Sequence, residues 1–148
     1  MAEIVGYAAV TADILHIGHI IFLQKARQKC DFLWVGVMSD EYIRQVKGRE
    51  PIMAWEERSE IVRLLRMVDG VIKQEAYEFD IQKIKGEYEV NVIIDSQDHK
   101  GKRAGADIII DFFGGEREGG ISSTDIRKRI YETYNSKCEM EGRVIGER

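Results

Sequence analysis

Short apolar runs alternate with amphipathic stretches along most of this chain. Each apolar run has the length of a buried strand and is bounded by polar or glycine-containing segments. The runs predict strands at 3–10, 31–39, 68–73, 90–95 and 106–113. The helical spacing of apolar residues predicts helices at 17–29, at the start of 40–54, and at 55–67, 78–86 and 121–134. Strands that alternate with helices in this way are typical of an α/β domain.

The order of these elements predicts a Rossmann-like, mainly parallel five-stranded sheet with helices on both faces. In such sheets a ligand binds beyond the carboxyl ends of the strands, where the strand order reverses. We expect the loops 10–19, 44–58 and 95–103 to meet at that edge, and the loop 114–124 to join them. All four are rich in groups that bind phosphate, so the sequence predicts a phosphate site there.

Composition narrows the classes of protein to consider. A chain of 148 residues with a net charge of −4 has the length of one domain and lacks the basic field that wraps nucleic acid. No apolar run approaches the roughly 20 residues that span a bilayer, and no secretory leader is recognisable. Cys30 and Cys138 do not suggest a disulfide framework, so we expect two reduced thiols in a cytoplasmic protein.

Two histidines, His16 and His19, flank Gly18 at the predicted start of the first long helix. They could simply cap the helix or pack against the core. They could also donate to an anion, because a helix N-terminus offers free N–H groups and a positive dipole, and Gly18 allows close approach. A metal site is not expected, since the only other histidine, His99, has two lysines close by.

Two further segments carry candidate chemistry. The loop before the helix at 55–67 contains Lys47 and Arg49, and Arg58 follows within that helix. The segment 117–129, "REGGISSTDIRKR", combines glycines, hydroxyls, a helix start and arginines, which is a good seat for terminal phosphates. Each segment alone could be an ordinary solvated loop or a serine-capped helix.

Taken in order, "HIGH" and "ISSTDIR" resemble the HxGH and ISSTxIR motifs of the cytidylyltransferase-like nucleotidyltransferase family, over roughly 4–131. Within it, "REGGISS" is most similar to the corresponding motif of glycerol-3-phosphate cytidylyltransferases. Two segments differ from the usual family pattern. Val10 and Ala12 stand where the family has Gly and Phe, a version similar to domains found with phosphonate-making enzymes. Ser96 and Gln97 begin the loop that usually reads Gly-Asp-Asp.

The resemblance implies a nucleotidyltransferase domain over 1–131, followed by the end of a helix and a polar tail over 132–148. The implied reaction transfers CMP from CTP to a small phosphorylated alcohol or a phosphonate and releases pyrophosphate. It makes His16, His19, Lys47 and Arg127 the catalytic residues. It implies nucleotide-binding roles for Thr11, Ala12, Asp13, Gly18, Arg58, Asp98, Arg117, Gly120, Ile121, Ser122, Ser123 and Thr124. Mg²⁺ is expected, held mainly by the nucleotide phosphates and by no protein metal ligand.

Other functions remain open at this point. An adenylyltransferase that uses ATP, similar to FAD synthetases or sugar-phosphate adenylyltransferases, would share these motifs, and so would a non-catalytic nucleotide sensor. HIGH also occurs in class I aminoacyl-tRNA synthetases, but this sequence has no KMSKS-like segment. The apolar content of 55–67 and of the following "RMVDGVI", including Met67 and Val68, predicts a homodimer joined near that segment.

Overall fold

The computed structural model describes residues 2–96, 106–110 and 122–140, and for 77–80 and 138–140 it describes the backbone alone. The strands are β1 (Val5–Val10), β2 (Phe32–Met38), β3 (Gly70–Gln74), β4 (Val92–Ser96) and β5 (Ile108–Ile110). The helices are α1 (Ile17–Arg27), α2 (Asp40–Lys47), α3 (Trp55–Arg63), α4 (Tyr77–Glu87) and α5 (Ser123–Met140). Within these residues no helix is long and apolar enough to cross a membrane.

All four strand pairings are parallel, and the strand order is β3-β2-β1-β4-β5. The chain moves outward from β1 through β2 to β3 and then returns to the other side of β1. The order therefore reverses between β1 and β4, which is the position where open α/β sheets bind ligands. The predicted fold class, a five-stranded parallel α/β sheet, is confirmed.

Two buried clusters cover the two faces of the sheet. One contains Phe22 and Leu23 of α1 with Val62 of α3, packed on apolar residues of β1 and β2. The other contains Ile81 and Ile84 of α4, packed on residues such as Tyr7 and Ile93. Helices thus bury both faces, which is why the strands are nearly continuous apolar runs without polar alternation.

The bounds of several elements differ from the sequence prediction for local reasons. Helix α3 ends at Arg63, four residues before its predicted end, because turns carry Leu65, Met67 and Val68 onto the core. Strand β5 begins at Ile108 because Asp107 accepts the N–H of Ile93 with its side chain.

At the carboxyl end of the chain, α5 continues to Met140, beyond the predicted residue 134 and across the expected boundary at 131. The sequence has no glycine or proline between Gly120 and Gly142 that would stop a helix. Ion pairing between Lys128 and Glu132, at 3.9 Å and one turn apart, adds support on the exposed side.

Candidate active site

The side chains of both histidines accept backbone N–H groups at the start of helix α1. His16 is the N-cap, and its Nδ1 accepts the N–H of Gly18 at 3.1 Å. Nδ1 of His19 accepts the N–H of His16 at 3.2 Å, and the ring centroids lie 4.0 Å apart. The capping role and the anion-binding role considered from the sequence are therefore compatible, because capping occupies one nitrogen of each ring.

This capping arrangement fixes the tautomer of both rings. A neutral imidazole that accepts at Nδ1 carries its proton on Nε2, so His16 and His19 each keep an Nε2–H donor. Burial, with the nearby charges of His16 and Lys47 acting in the same direction, lowers the pKa of His19 to about 3. His19 is consequently a neutral N–H donor at physiological pH.

The carboxylate of Asp13, whose side chain is 1% exposed, gathers three segments of the chain. Its oxygens accept the N–H groups of Ile52 and Met53 at 3.0–3.1 Å, Arg49 Nη1 at 3.2 Å and Arg127 Nη2 at 2.6 Å. Burial alone would raise the pKa of Asp13, but these backbone and arginine hydrogen bonds outweigh it and hold the pKa below its ordinary value. In this structure Asp13 orients cations and a loop, and its carboxylate has no exposed oxygen for a nucleotide.

The guanidinium of Arg58 is fully buried beneath the same loops. Its Nε donates to the carbonyl of Met53 at 2.9 Å, and Nη1 donates to the carbonyls of Thr11 at 2.7 Å and Met38 at 2.8 Å. Nη2 donates to Asp40 Oδ1 at 2.6 Å. Protein carbonyls and a carboxylate accept from this guanidinium, so in this structure Arg58 supports the loops of the site from behind.

Lys47 reaches the end of β1 from the last turn of α2. Its Nζ donates to Thr11 Oγ1 at 3.1 Å, and Thr11 Oγ1 lies 3.1 Å from Met38 Sδ. The helix stops there because Gly48 adopts φ 64°, a left-handed conformation that glycine accepts without strain. The turn therefore leaves the Lys47 ammonium exposed above the carboxyl end of β1.

The start of α5 lies on the other side of Asp13. Ser122 Oγ accepts the N–H of Asp125 at 3.1 Å, which makes Ser122 the N-terminal cap. Ser123 and Thr124 form the first turn, and Arg127 lies one turn further along. Arg127 Nε is buried and has no hydrogen-bond partner among the described residues, so this guanidinium retains an unused donor.

The loop between β1 and α1 is strained on both sides of Asp13. Ala12 has φ 55° and Ile14 has φ 63°, which is the left-handed region that side chains other than glycine rarely adopt. Such strain persists where surrounding contacts hold the backbone in place, and it concentrates at functional sites. Here the hydrogen bonds of the Asp13 side chain hold this loop in its strained conformation.

Three groups of the site had no signal in the sequence. The N–H groups of Ile52 and Met53 belong to the backbone, and no side-chain pattern reveals them. Asp40 stands in an ordinary first-turn position of a helix. The predicted residues Asp98, Arg117, Gly120 and Ile121 lie outside the described residues. Across 2–96, 106–110 and 122–140, no group of three or more His, Cys, Asp or Glu is placed to hold a metal ion.

A family model described as "Cytidylyltransferase-like" matches residues 7–129. The chain belongs to the cytidylyltransferase-like family. The matched span includes both histidines, Lys47 and Arg127.

Relatives of this cytidylyltransferase-like chain carry different names. It is 30% identical to a glycerol-3-phosphate cytidylyltransferase from Staphylococcus aureus over 134 residues, which cover 88% of this chain and 96% of that protein. It is 45% identical to an FAD synthase from Pyrococcus abyssi over 73 residues, so it matches about half the length of that protein, 49% of each chain. The solved lipopolysaccharide core biosynthesis protein from Thermoplasma volcanium has a TM-score of 0.59 at 26% identity, covering 76% of this chain and 98% of that one.

Proposed function

We propose that this cytidylyltransferase-like protein transfers CMP from CTP to a small phosphorylated alcohol of the glycerol-3-phosphate kind, or to a phosphonate, with release of pyrophosphate. One observation carries the proposal. The two imidazoles that cap helix α1 present fixed Nε2–H donors beside the exposed Lys47. Asp13 holds the Arg127 guanidinium at the same carboxyl end of β1. Neutral donors and cations grouped in this way favour a chain of phosphates.

The reaction makes modest demands on the protein. An oxygen of the acceptor phosphate or phosphonate attacks the α-phosphorus of the nucleotide. The bond from the α-phosphorus to the bridging oxygen breaks, and pyrophosphate leaves with the electron pair. The acceptor oxygen is already anionic, so no general base is required, and catalysis consists of in-line positioning and charge stabilisation.

The residues divide this work by position. His16 and His19 donate to the α- and β-phosphates, and Lys47 bridges the α-phosphate and the acceptor, which otherwise repel each other. Arg117, Arg127 and the first turn of α5 hold the β- and γ-phosphates. The remaining nucleotide-binding residues in this proposal are Thr11, Ala12, Gly18, Asp98, Gly120, Ile121, Ser122, Ser123 and Thr124. Asp13 and Arg58 support them from beneath.

Mg²⁺ fits this site only as a partner of the phosphates. The carboxylate of Asp13 is already engaged by two arginines and two backbone N–H groups, and the exposed side chain above it, that of Lys47, is cationic. Bound with the nucleotide, Mg²⁺ supplies charge neutralisation for the leaving pyrophosphate, and phosphate oxygens and water serve as its ligands.

Adenylyl transfer from ATP is the second candidate. The 45% identity to an FAD synthase favours it, although that match covers half of each chain. A non-catalytic sensor, which would bind the nucleotide without turnover, is the alternative of another class. The site combines histidines, a lysine and arginines, which suits phosphoryl chemistry. This set favours an enzyme over a sensor that only binds the nucleotide.

Pyrophosphate release measured in parallel with CTP and ATP tests the proposal. The assay contains Mg²⁺ and a panel of phosphorylated alcohols, amino alcohols and phosphonates. Acceptor-dependent release with CTP, lost in His16→Asn, supports cytidylyl transfer, whereas release with ATP alone moves the assignment to adenylyl transfer. Nucleotide binding without pyrophosphate release in the presence of any of these acceptors contradicts an enzymatic role and supports the sensor.

We also propose that the protein is a cytoplasmic homodimer joined near α3, with the two active sites facing away from the twofold axis. In this structure Met67 and Val68 pack against the core, so the apolar surface left in that region belongs to Ile61 and Leu64, 38% and 77% exposed. A second copy would cover these side chains, since closed twofold dimers are the commonest assembly.

A further inference from the structure

The backbone of Met53 is held on both sides of its Cα by buried charges. Its N–H donates to Asp13 Oδ1 at 3.0 Å, and its carbonyl accepts from Arg58 Nε at 2.9 Å. Both charged side chains are 1% exposed or less. A backbone group between a buried anion and a buried cation is tightly located, because hydrogen bonds to charged groups are roughly twice as strong as neutral ones.

From Arg58, the contacts lead to Lys47 by two routes. Arg58 donates to the carbonyl of Thr11, the residue whose hydroxyl accepts from the Lys47 ammonium. Arg58 also pairs with Asp40, the first residue of α2, and Lys47 is the last residue of the same helix. Arg58 thus fixes the N-terminal end of α2 and also the residue, Thr11, whose hydroxyl accepts from the Lys47 ammonium.

From Asp13, the contacts lead to the opposite cations. The carboxylate binds Arg127 of α5 at 2.6 Å and Arg49 of the loop after α2 at 3.2 Å. Asp13 therefore determines where α5 meets the end of β1. Asp13 engages only part of this guanidinium, since Arg127 Nε has no hydrogen-bond partner in the part of the chain that the structure describes.

We propose that Asp13 and Arg58 are positioning residues that act as one unit through the backbone of Met53, and that this unit sets the separation of Lys47 and Arg127. The functional half of this inference rests on the proposed nucleotidyl transfer. A cation on each side of a polyphosphate stabilises the transition state only at the correct separation, and an error of about 1 Å can lower the rate by about a hundredfold. Groups in one buried charged network respond non-additively when they are removed.

A double-mutant cycle with Asp13→Asn and Arg58→Lys tests the unit. Asparagine keeps the shape of the carboxylate without its charge, and lysine keeps the charge without the fork of donors. Asp69→Asn is the matched control, because Asp69 also accepts from a backbone N–H, that of Leu33 at 2.8 Å, and pairs with Arg27 at 3.1 Å, but at the opposite end of the sheet. If Arg58→Lys does not fold, Asp40→Asn takes its place, since it removes one partner of Arg58 without changing a buried side chain.

For kcat, we expect each single variant to lose about tenfold or more, the double variant to lose no more than the worse single variant, and KM for the nucleotide to change less than kcat. Asp69→Asn should lose stability and keep kcat. Losses that multiply in the double variant, or that appear in KM alone, would overturn the proposal.

Amide hydrogen exchange at Met53 provides a readout that needs no turnover. We expect this amide to exchange faster in Asp13→Asn, because the charge of its acceptor is removed. We expect the same in Arg58→Lys, although Arg58 contacts only the carbonyl of Met53. Unchanged exchange in the Arg58 variant would show that the two charges act separately. If both variants show this coupling in exchange but the wild-type protein has no nucleotidyl transfer, the proposed function fails while the structural unit stands.

Discussion

His19 Nδ1 accepts the backbone N–H of His16 at 3.2 Å, so the side chain of one histidine binds the backbone of the other. The N–H of Gly18 likewise donates to His16 Nδ1, so the Nδ1 atoms of both histidines take part in helix capping. Helix capping does not involve the Nε2–H groups. In our proposal stability and catalysis therefore use different atoms of the same side chains, so substitutions can separate them.

His16→Asn should separate the two roles. Asparagine is a good N-cap and its amide oxygen can accept the N–H of Gly18, so the melting temperature should stay close to that of the wild type. The Nε2–H donor is lost, and kcat should fall about a hundredfold or more, the usual effect of removing one transition-state donor. His16→Ala should lose both activity and about 1 kcal/mol of stability. Wild-type turnover in His16→Asn would exclude His16 from catalysis.

Acidification should destabilise the protein first through His19. The folded pKa is about 3 and the ordinary value is 6.5, so between these values the unfolded chain holds a proton that the folded chain excludes. Stability is therefore fully present above about pH 6.5 and declines as pH falls toward 3. Asp13, whose folded pKa lies below the ordinary 3.8, adds a further loss only below that value.

Urea unfolding between pH 7 and pH 5 measures this loss. His19→Gln retains an acceptor but does not titrate, so its unfolding free energy should decline less over the same interval. Equal pH dependence in the two proteins would contradict the assignment of this loss to His19.

Arg127→Ala should weaken stabilisation by nucleotide. In our proposal CTP with Mg²⁺ binds the folded state, so it should raise the melting temperature, and Arg127 supplies a donor near the terminal phosphates. Arg129→Ala is the control, because Arg129 is an exposed residue of the same helix. The shift produced by CTP should shrink in the first variant and persist in the second. Equal shifts in both would remove Arg127 from the phosphate site.

Two glycine-to-alanine changes should have opposite effects on stability. A Cβ at Gly36 would overlap the hydroxyl of Tyr7, which is hydrogen-bonded to Gln74 inside the sheet, so Gly36→Ala should destabilise by about 1–3 kcal/mol. A Cβ at Gly86 in α4 would meet nothing within 4 Å, so Gly86→Ala should stabilise by up to about 1 kcal/mol. Chemical denaturation of both variants measures the difference.

The proposed homodimer predicts a mass of two chains in light scattering coupled to size exclusion. Leu64→Glu should convert it to a monomer of about the 17.0 kDa chain mass, since Leu64 is 77% exposed and its substitution leaves the core intact. Tyr131→Glu, on the exposed side of α5 and 68% exposed in the wild type, should not change the mass. A wild-type monomer at micromolar concentration contradicts the assembly, and a dimer that survives Leu64→Glu places the interface elsewhere.

The strands and helices followed from the sequence because their signals are local. Apolar runs and helical spacing gave all ten elements in order, and the errors lie at ends such as Arg63, where turns replace the last part of a helix. The histidine pair was also recognisable, since both partners stand within four residues. The burial of Arg58 had no signal in the sequence, because an arginine on a helix ordinarily faces solvent. Its burial depends on carbonyls of Thr11 and Met38 that only the folded chain brings together.

Asp13 is synthesised 114 residues before Arg127, the side chain that binds it most closely. On the ribosome, β1, β2 and β3 can already pair while α5 is still inside the exit tunnel, since their pairing partners precede it. A nascent chain can therefore hold three paired strands before Arg127 is available to Asp13. If Arg127 binds phosphate as we propose, unfinished chains would bind nucleotide more weakly than the finished protein.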